Sequence, residues 1–262
     1  MKSLKQGLGQ PPQRPHVPPT QRSKNVTATL RTDVGRVRKQ NEDAAWLDEK
    51  RGVYVVADGM GGHLAGEVAS AMAIDAIRSM TKKHDVASIA VLRETVCSAH
   101  EAILAHAREN QNCSGMGTTI SAMWRGGRYM YIAHVGDSRI YRLRKGELEQ
   151  ITQDHSLVEE LVRARIITRE EAKHHPRRNI ITRALGTQGD NAPDLLATDV
   201  EPGDVWLLCT DGLSSMISDE DIQRVLMLRD SLDTKADLLL KMALAAGGRD
   251  NVTLILCVSE EV

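Results

Sequence analysis

The chain has 262 residues, 41% hydrophobic and 26% charged, with a formal net charge of -1. This is the profile of one large domain, or at most two small ones, with a sizeable core, and it excludes global attraction to nucleic acid or anionic membrane. With 3% aromatic residues and no Phe, little is available for stacking on bases.

No apolar run approaches the roughly 18 residues that span a bilayer. The N-terminus carries no apolar secretory block. Cys97, Cys113, Cys209 and Cys257 form no CxxC pair, which argues against a thiolate zinc site and for reduced core residues. A cytoplasmic protein is expected.

Residues 1–25 hold five of the eight prolines, five Lys or Arg, four Gln and no acidic residue. So little apolar surface cannot offset the entropy of ordering, and a disordered basic tail is expected. Within it Pro12-Gln-Arg-Pro15 is either a polyproline II recognition segment or merely solvated.

The folded domain is expected over 26–262. Strands are predicted at Tyr54–Ala57, Thr118–Met123, Met130–Val135, Arg139–Leu143, Val205–Cys209 and Val252–Val258, from short β-branched or apolar runs. Between the first two, Ala69, Met72, Ala76 and Met80 recur at helical spacing, and so do Ile89, Leu92, Val96, Ala99 and Ile103. Late in the chain Ser218 is a candidate N-cap, and Leu239, Met242 and Ala246 mark a last helix. Strand-rich halves with helices in pairs favour an α+β sandwich over βαβ alternation. Residues 154–186 interrupt the pattern; they read as mainly helical, with a Thr168–Glu171 capping box and the basic cluster Lys173, His174, His175, Arg177 and Arg178. The segment is either a substrate-facing flap or a surface excursion.

The aspartates carry the chemistry. Asp58 and Asp211 each follow an apolar strand, Asp250 precedes one, and Asp137 lies between two. A lone carboxylate at such a place loses hydration, and several together repel one another. A divalent cation removes both penalties, and hard oxygen donors favour magnesium, manganese or calcium over zinc. Asp58-Gly59 and Asp211-Gly212 are also hairpin-turn dipeptides, so a turn competes with a ligand at each. Asp58-Gly-Met-Gly-Gly-His63 lacks the third glycine of a dinucleotide loop, and no GK[ST] of a P-loop occurs. Arg38 stands beside Glu42 and Asp43; its planar fork suits a phosphate, although the segment could be a surface charge pair.

Together these segments resemble the type 2C (PPM) metal-dependent serine/threonine protein phosphatases in their bacterial form. The likeness runs through Asp33-Val-Gly-Arg-Val-Arg-Lys-Gln-Asn-Glu-Asp43, Val56-Ala-Asp-Gly-Met-Gly-Gly-His63, Gly66-Glu67 and Gly115-Met-Gly-Thr-Thr119. It continues with His134-Val-Gly-Asp-Ser-Arg139, Thr182-Arg-Ala-Leu-Gly186, Cys209-Thr-Asp-Gly-Leu213 and Gly248-Arg-Asp-Asn251.

The resemblance implies a four-layer α/β/β/α sandwich, two antiparallel sheets flanked by helix pairs, with 154–186 as a helical flap. It implies hydrolysis of phosphoserine and phosphothreonine by direct attack of a water bridging two Mn2+ or Mg2+ ions. Asp43, Asp58, the Gly59 carbonyl, Asp211 and Asp250 would hold that pair, and Asp137 a third, weaker ion. Glu42 and Asn251 would support the ligands, and Arg38 would grip the phosphate. The general acid is open: Met60 occupies the position of the histidine found in animal members, leaving His63, a water, or a His63 that only caps the next helix. Implied partners are phosphorylated proteins and a cognate serine/threonine kinase, with the chain a monomer. Two other classes compete, a catalytically dead module of this fold and an acidic calcium-binding domain. The first would have lost ligands, whereas Asp43, Asp58, Asp211 and Asp250 are all present; the second leaves Arg38 without a role, and no EF-hand spacing occurs. A third rival keeps the chemistry but narrows the target to one phosphoprotein.

Overall fold

The computed structural model describes residues 26–61 and 65–259. The expected tail, 1–25, lies outside them.

One sheet takes the order β1 (Val26–Asp33), β11 (Val252–Ser259), β10 (Val205–Cys209), β7 (Arg139–Arg144), β8 (Glu147–Gln150). The other runs β2 (Asp43–Asp48), β3 (Val53–Met60), β5 (Ile120–Gly126), β6 (Tyr129–Val135), β9 (Asp194–Asp199), with β4 (Gly117–Thr118) pairing the end of β3. Every pairing is antiparallel. The alternation of side chains along a strand decides where each goes. Tyr54 and Val56 of β3 face the other sheet and pack with Trp206, Leu208, Ile255 and Cys257. Val53, Val55 and Ala57 face outward and are covered by α1 (Ala65–Lys83) and α2 (Ile89–Glu109) through Ala69, Ile77, Leu92 and Ile103. On the opposite outer face α5 (Asp211–Ser214), α6 (Asp219–Leu226) and α7 (Leu232–Ala245) bury Leu213, Ile222, Val225 and Leu239 against Leu207, Leu254 and Leu256. The result is the expected four-layer sandwich.

Three local expectations change. The strand predicted at Thr118–Met123 is broken at Thr119, which lies between β4 and β5. There the Thr119 hydroxyl accepts the Asp58 amide proton at 2.9 Å and the Thr118 hydroxyl donates to the Asp58 carbonyl at 2.9 Å. The Thr119 amide still donates to the Asp58 carbonyl at 2.9 Å, so a side chain takes over one of the two bonds that an unbroken ladder would make. The last helix ends at Ala245, with Ala246 as its C-cap. Segment 154–186 is less helical than expected: α3 (Leu157–Arg163) and α4 (Arg169–His174) are short, and an isolated bridge joins Ser156 to Ile181. Pro176 cannot extend α4. The capping box at Thr168 and Glu171 is present, and Ser218 caps α6 by accepting from the Asp221 amide. β1, β8, β2 and β9, the four strands at the sheet edges, are not singled out by periodicity. No helix among the described residues is long and apolar enough to cross a membrane.

Candidate functional site

Both hairpin alternatives fail. β3 continues straight through Asp58-Gly59-Met60, and Asp211 is the first residue of α5. Asp43 opens β2 directly opposite Asp58 in the β2/β3 register. Asp211 and Asp250 come from the other sheet, one just past β10 and one just before β11. A hydrogen bond closes the gap between the sheets: the Thr210 hydroxyl donates to Asp43 Oδ2 at 2.8 Å and accepts from the Thr253 amide at 3.0 Å.

Convergence of these groups shows in their electrostatics. Burial pushes the Asp43 carboxyl up to about 7; Asp211 and Asp250 add repulsion, and hydrogen bonds from Thr253 and Thr210 oppose it. Asp58 is raised well above the carboxylate range by burial and then by Asp43, Asp211, Asp137 and Asp250. Asp211 rises to about 6 through burial and Asp250, offset in part by a hydrogen bond with Asp58. Asp137 is raised by burial and then by Asp211 and Asp154. Five aspartates therefore feel one another at a single rim of the sandwich.

Arg38 and Glu42 complete that rim. The Arg38 guanidinium, half exposed, bonds Asp250 Oδ2 at 2.7 Å. Burial raises the Glu42 carboxyl, with Arg38 opposing and Asp250 and Glu67 adding to the rise. Asn251 is buried and fastens the approach to β2: its Oδ1 accepts from the Glu42 amide at 2.8 Å, and its Nδ2 donates to the Val34 and Gln40 carbonyls at 2.9 and 2.8 Å.

Two glycines owe their identity to close approach. A Cβ on Gly59 would stand 2.2 Å from the Gly66 carbonyl oxygen and 2.5 Å from that of Glu42; one on Gly212 would stand 1.9 Å from the Asn251 carbonyl oxygen. Bare backbone is what lets α1 and β2 press against the end of β3.

Asp137 sits in the β6–β7 turn with Oδ1 buried and without a hydrogen-bond partner. Such a carboxylate oxygen is costly unless a cation or water faces it. His63 lies outside the described residues. Residues that periodicity did not flag are Thr210, Thr119 and His155; each lies beside a motif aspartate or its loop, and only their hydrogen bonds reveal them.

All donors at the rim are oxygens of carboxylates or backbone, the set that hard divalent cations prefer. Among the described residues no three acidic, histidine or cysteine side chains already stand in coordinating geometry. Asp43 is turned to Thr210 and Asp250 to Arg38. The chemistry and charge of the donor set fit a divalent cation, as does the partnerless Asp137 Oδ1.

A two-sheet sandwich gathering buried carboxylates from both sheets beside a guanidinium defines a metal-dependent phosphoester hydrolase. Residues 36–245 match the family model described as protein phosphatase 2C. The chain is 40% identical over 237 residues to the serine/threonine phosphatase Stp of Listeria monocytogenes, covering 87% of this chain and 94% of that one. It superposes with a TM-score of 0.87 and 36% identity on the serine/threonine phosphatase Stp1 of Staphylococcus aureus, covering 92% of this chain and 98% of that one. The catalytic domain of the phosphatase PstP, solved with two manganese ions, matches at a TM-score of 0.83 and 38% identity, over 90% of this chain and 99% of that one. The chain belongs to the protein phosphatase 2C family.

Proposed function

We propose that this chain hydrolyses phosphoserine and phosphothreonine side chains of proteins, using a divalent-cation site built from Asp43, Asp58, the Gly59 carbonyl, Asp211 and Asp250. The observation that carries the reading is the gathering of mutually repelling carboxylates from both sheets at one rim, an arrangement whose cost a cation offsets. Two Mn2+ or Mg2+ ions held by these residues would supply Lewis acidity, lowering the pKa of water toward neutrality and offsetting charge on the phosphoryl oxygens. Asp137, with its free buried oxygen, would take a third, weaker ion.

The protein's own groups do the rest. Arg38 stands half exposed at the edge of the cluster and offers a planar two-pronged donor, so it holds the phosphate and sets its angle to the incoming water. Thr210 and Asn251 fix Asp43 and the Glu42 backbone, so that the charged groups are preorganised for the developing negative charge. Attack is direct and in line, with no phosphoenzyme. The residue that protonates the leaving alkoxide stays among His63 and solvent.

Phosphorylated proteins are the substrates, and segment 154–186 is the flap beside the site. A cognate serine/threonine kinase as partner, a monomeric state and a cytoplasmic location complete the reading. The test is phosphate release from a phosphothreonine peptide by the full chain with Mn2+. Turnover that ceases with a chelator and returns with excess Mn2+ supports it; turnover indifferent to the chelator rejects the cation site.

A further inference from the structure

Next to the rim lies a buried polar network that the reaction above leaves unused. The Gly136 amide donates to His155 Nδ1 at 3.0 Å, and the Gly136 carbonyl accepts the His155 amide proton at 2.7 Å. Two hydrogen bonds thus clamp the residue before Asp137 to the start of segment 154–186. On the other side of the ring, Nε2 meets both Asp194 Oδ2 of β9 at 3.0 Å and Arg183 Nη1 at 2.8 Å. Arg183, from the far end of the same segment, donates to Asp194 Oδ1 at 2.8 Å. The Thr182 amide donates back to the His155 carbonyl at 2.8 Å. His134, fully buried, lies against the His155 ring with centroids 4.8 Å apart. On its other side the turn is held by Ser138, whose hydroxyl meets that of Thr119 at 2.7 Å and whose carbonyl accepts from Ser121 at 2.9 Å. Thr119 in turn carries the Asp58 amide.

We propose that His155 is a positioning residue for Asp137: its imidazole ties the two ends of segment 154–186 to the Gly136 backbone and so aims the buried, partnerless carboxylate at the weaker cation. This rests on the reading of Asp137 given above. A ring locked at both nitrogens, with a carboxylate behind it, fixes the turn as an outer-shell partner fixes a metal ligand. The same bonds make the segment and the Asp137 turn one mechanical unit, so that displacing one displaces the other.

The experiment compares His155→Ala, His155→Asn and Asp194→Ala with the parent protein. Turnover of a phosphothreonine peptide is measured against Mn2+ concentration, and Mn2+ binding by calorimetry. Asn places an acceptor where Nδ1 stood but cannot reach Asp194, and Asp194→Ala loosens the ring from the partly exposed side without touching Gly136. Expected are a rise of about 10-fold or more in the Mn2+ concentration giving half-maximal turnover for His155→Ala, a smaller rise for Asp194→Ala, and recovery toward the parent value for His155→Asn. KM for the peptide and the tighter Mn2+ binding should stay unchanged. Asp137→Asn serves as the reference. If it leaves the Mn2+ dependence unaltered, the reading of Asp137 falls and this proposal with it. If Asp137→Asn shifts that dependence while neither Asp194→Ala nor either His155 variant does, only the positioning role is overturned. Should His155→Ala not fold, Asp194→Ala and His155→Asn still decide: an unshifted dependence in Asp194→Ala overturns the role.

Discussion

Asp43 and Asp58 face each other directly across the β2/β3 pair. Like charges at directly opposed positions of an antiparallel ladder destabilise it, and here Asp211 and Asp250 of the other sheet add to the repulsion. The fold holds this strain at one rim and surrounds it with well-packed layers.

Acid should therefore stabilise the chelated protein. The Asp43 carboxyl lies up at about 7 and Asp211 at about 6, whereas in the unfolded chain both titrate near the ordinary value of about 4. Between roughly pH 4 and 7 the native state holds protons that the unfolded state has released, so stability falls as pH rises through that window. In EDTA the melting temperature at pH 5 should exceed that at pH 7.5 by about 5 °C, and Mn2+ should restore the loss at pH 7.5 by binding the native state. A chelated protein that melts higher at pH 7.5 than at pH 5 contradicts this.

Asp211→Asn separates activity from stability. Asp211 opens α5 from the end of β10, and its carboxyl shares a hydrogen bond with Asp58. Phosphate release should drop about 10³-fold or more, while the circular dichroism spectrum stays that of the parent. With EDTA at pH 7.5 the variant should melt higher than the parent, because one of the repelling charges is gone. Near-normal turnover with Mn2+ supplied would remove Asp211 from the site.

Gly59→Ala tests the close approach at the end of β3. The added methyl would meet two carbonyl oxygens, those of Gly66 and Glu42, inside van der Waals distance, and backbone yields less readily than a side chain. A loss of about 1–3 kcal/mol is expected, read as a lower midpoint in urea, together with weaker Mn2+ binding as Asp58 is displaced. An unchanged midpoint would mean that α1 can retreat freely.

Arg38→Lys keeps the charge and removes the fork. The guanidinium stands half exposed against Asp250, and the proposed reading has it receive phosphate. Losing one charge-assisted hydrogen bond should cut kcat/KM about 10- to 100-fold, with Mn2+ binding retained. Equal kcat/KM for the two proteins would leave Arg38 a mere ion-pair partner of Asp250.

Much of this was legible in the chain because short motifs sit at strand ends. Apolar runs ending in Asp58 or Asp211 announce both a strand and a misplaced charge, and helical spacing at Leu92, Val96 and Ile103 marks the face that α2 buries. Less visible were groups whose role lies in one hydrogen bond. Thr210 reads as an ordinary residue before Asp-Gly, yet it joins Asp43 to the other sheet. Thr119 reads as strand interior, yet its hydroxyl replaces a backbone acceptor to hold the Asp58 amide. β9, an edge strand whose Asp194 and Asp199 are turned to side-chain partners, gives no alternating signal. His155 could not be singled out because its partners are 19, 28 and 39 residues away.

The central claim is that carboxylates drawn from both sheets hold divalent ions that ready water for attack on phosphorus. Calorimetric titration of Mn2+ into the metal-stripped full chain, alongside Asp58→Asn, tests it most directly. Two ions should bind the parent protein tightly, and Asp58→Asn should lose that binding while melting cooperatively. Undiminished tight binding by Asp58→Asn, or none by the parent protein, would contradict it.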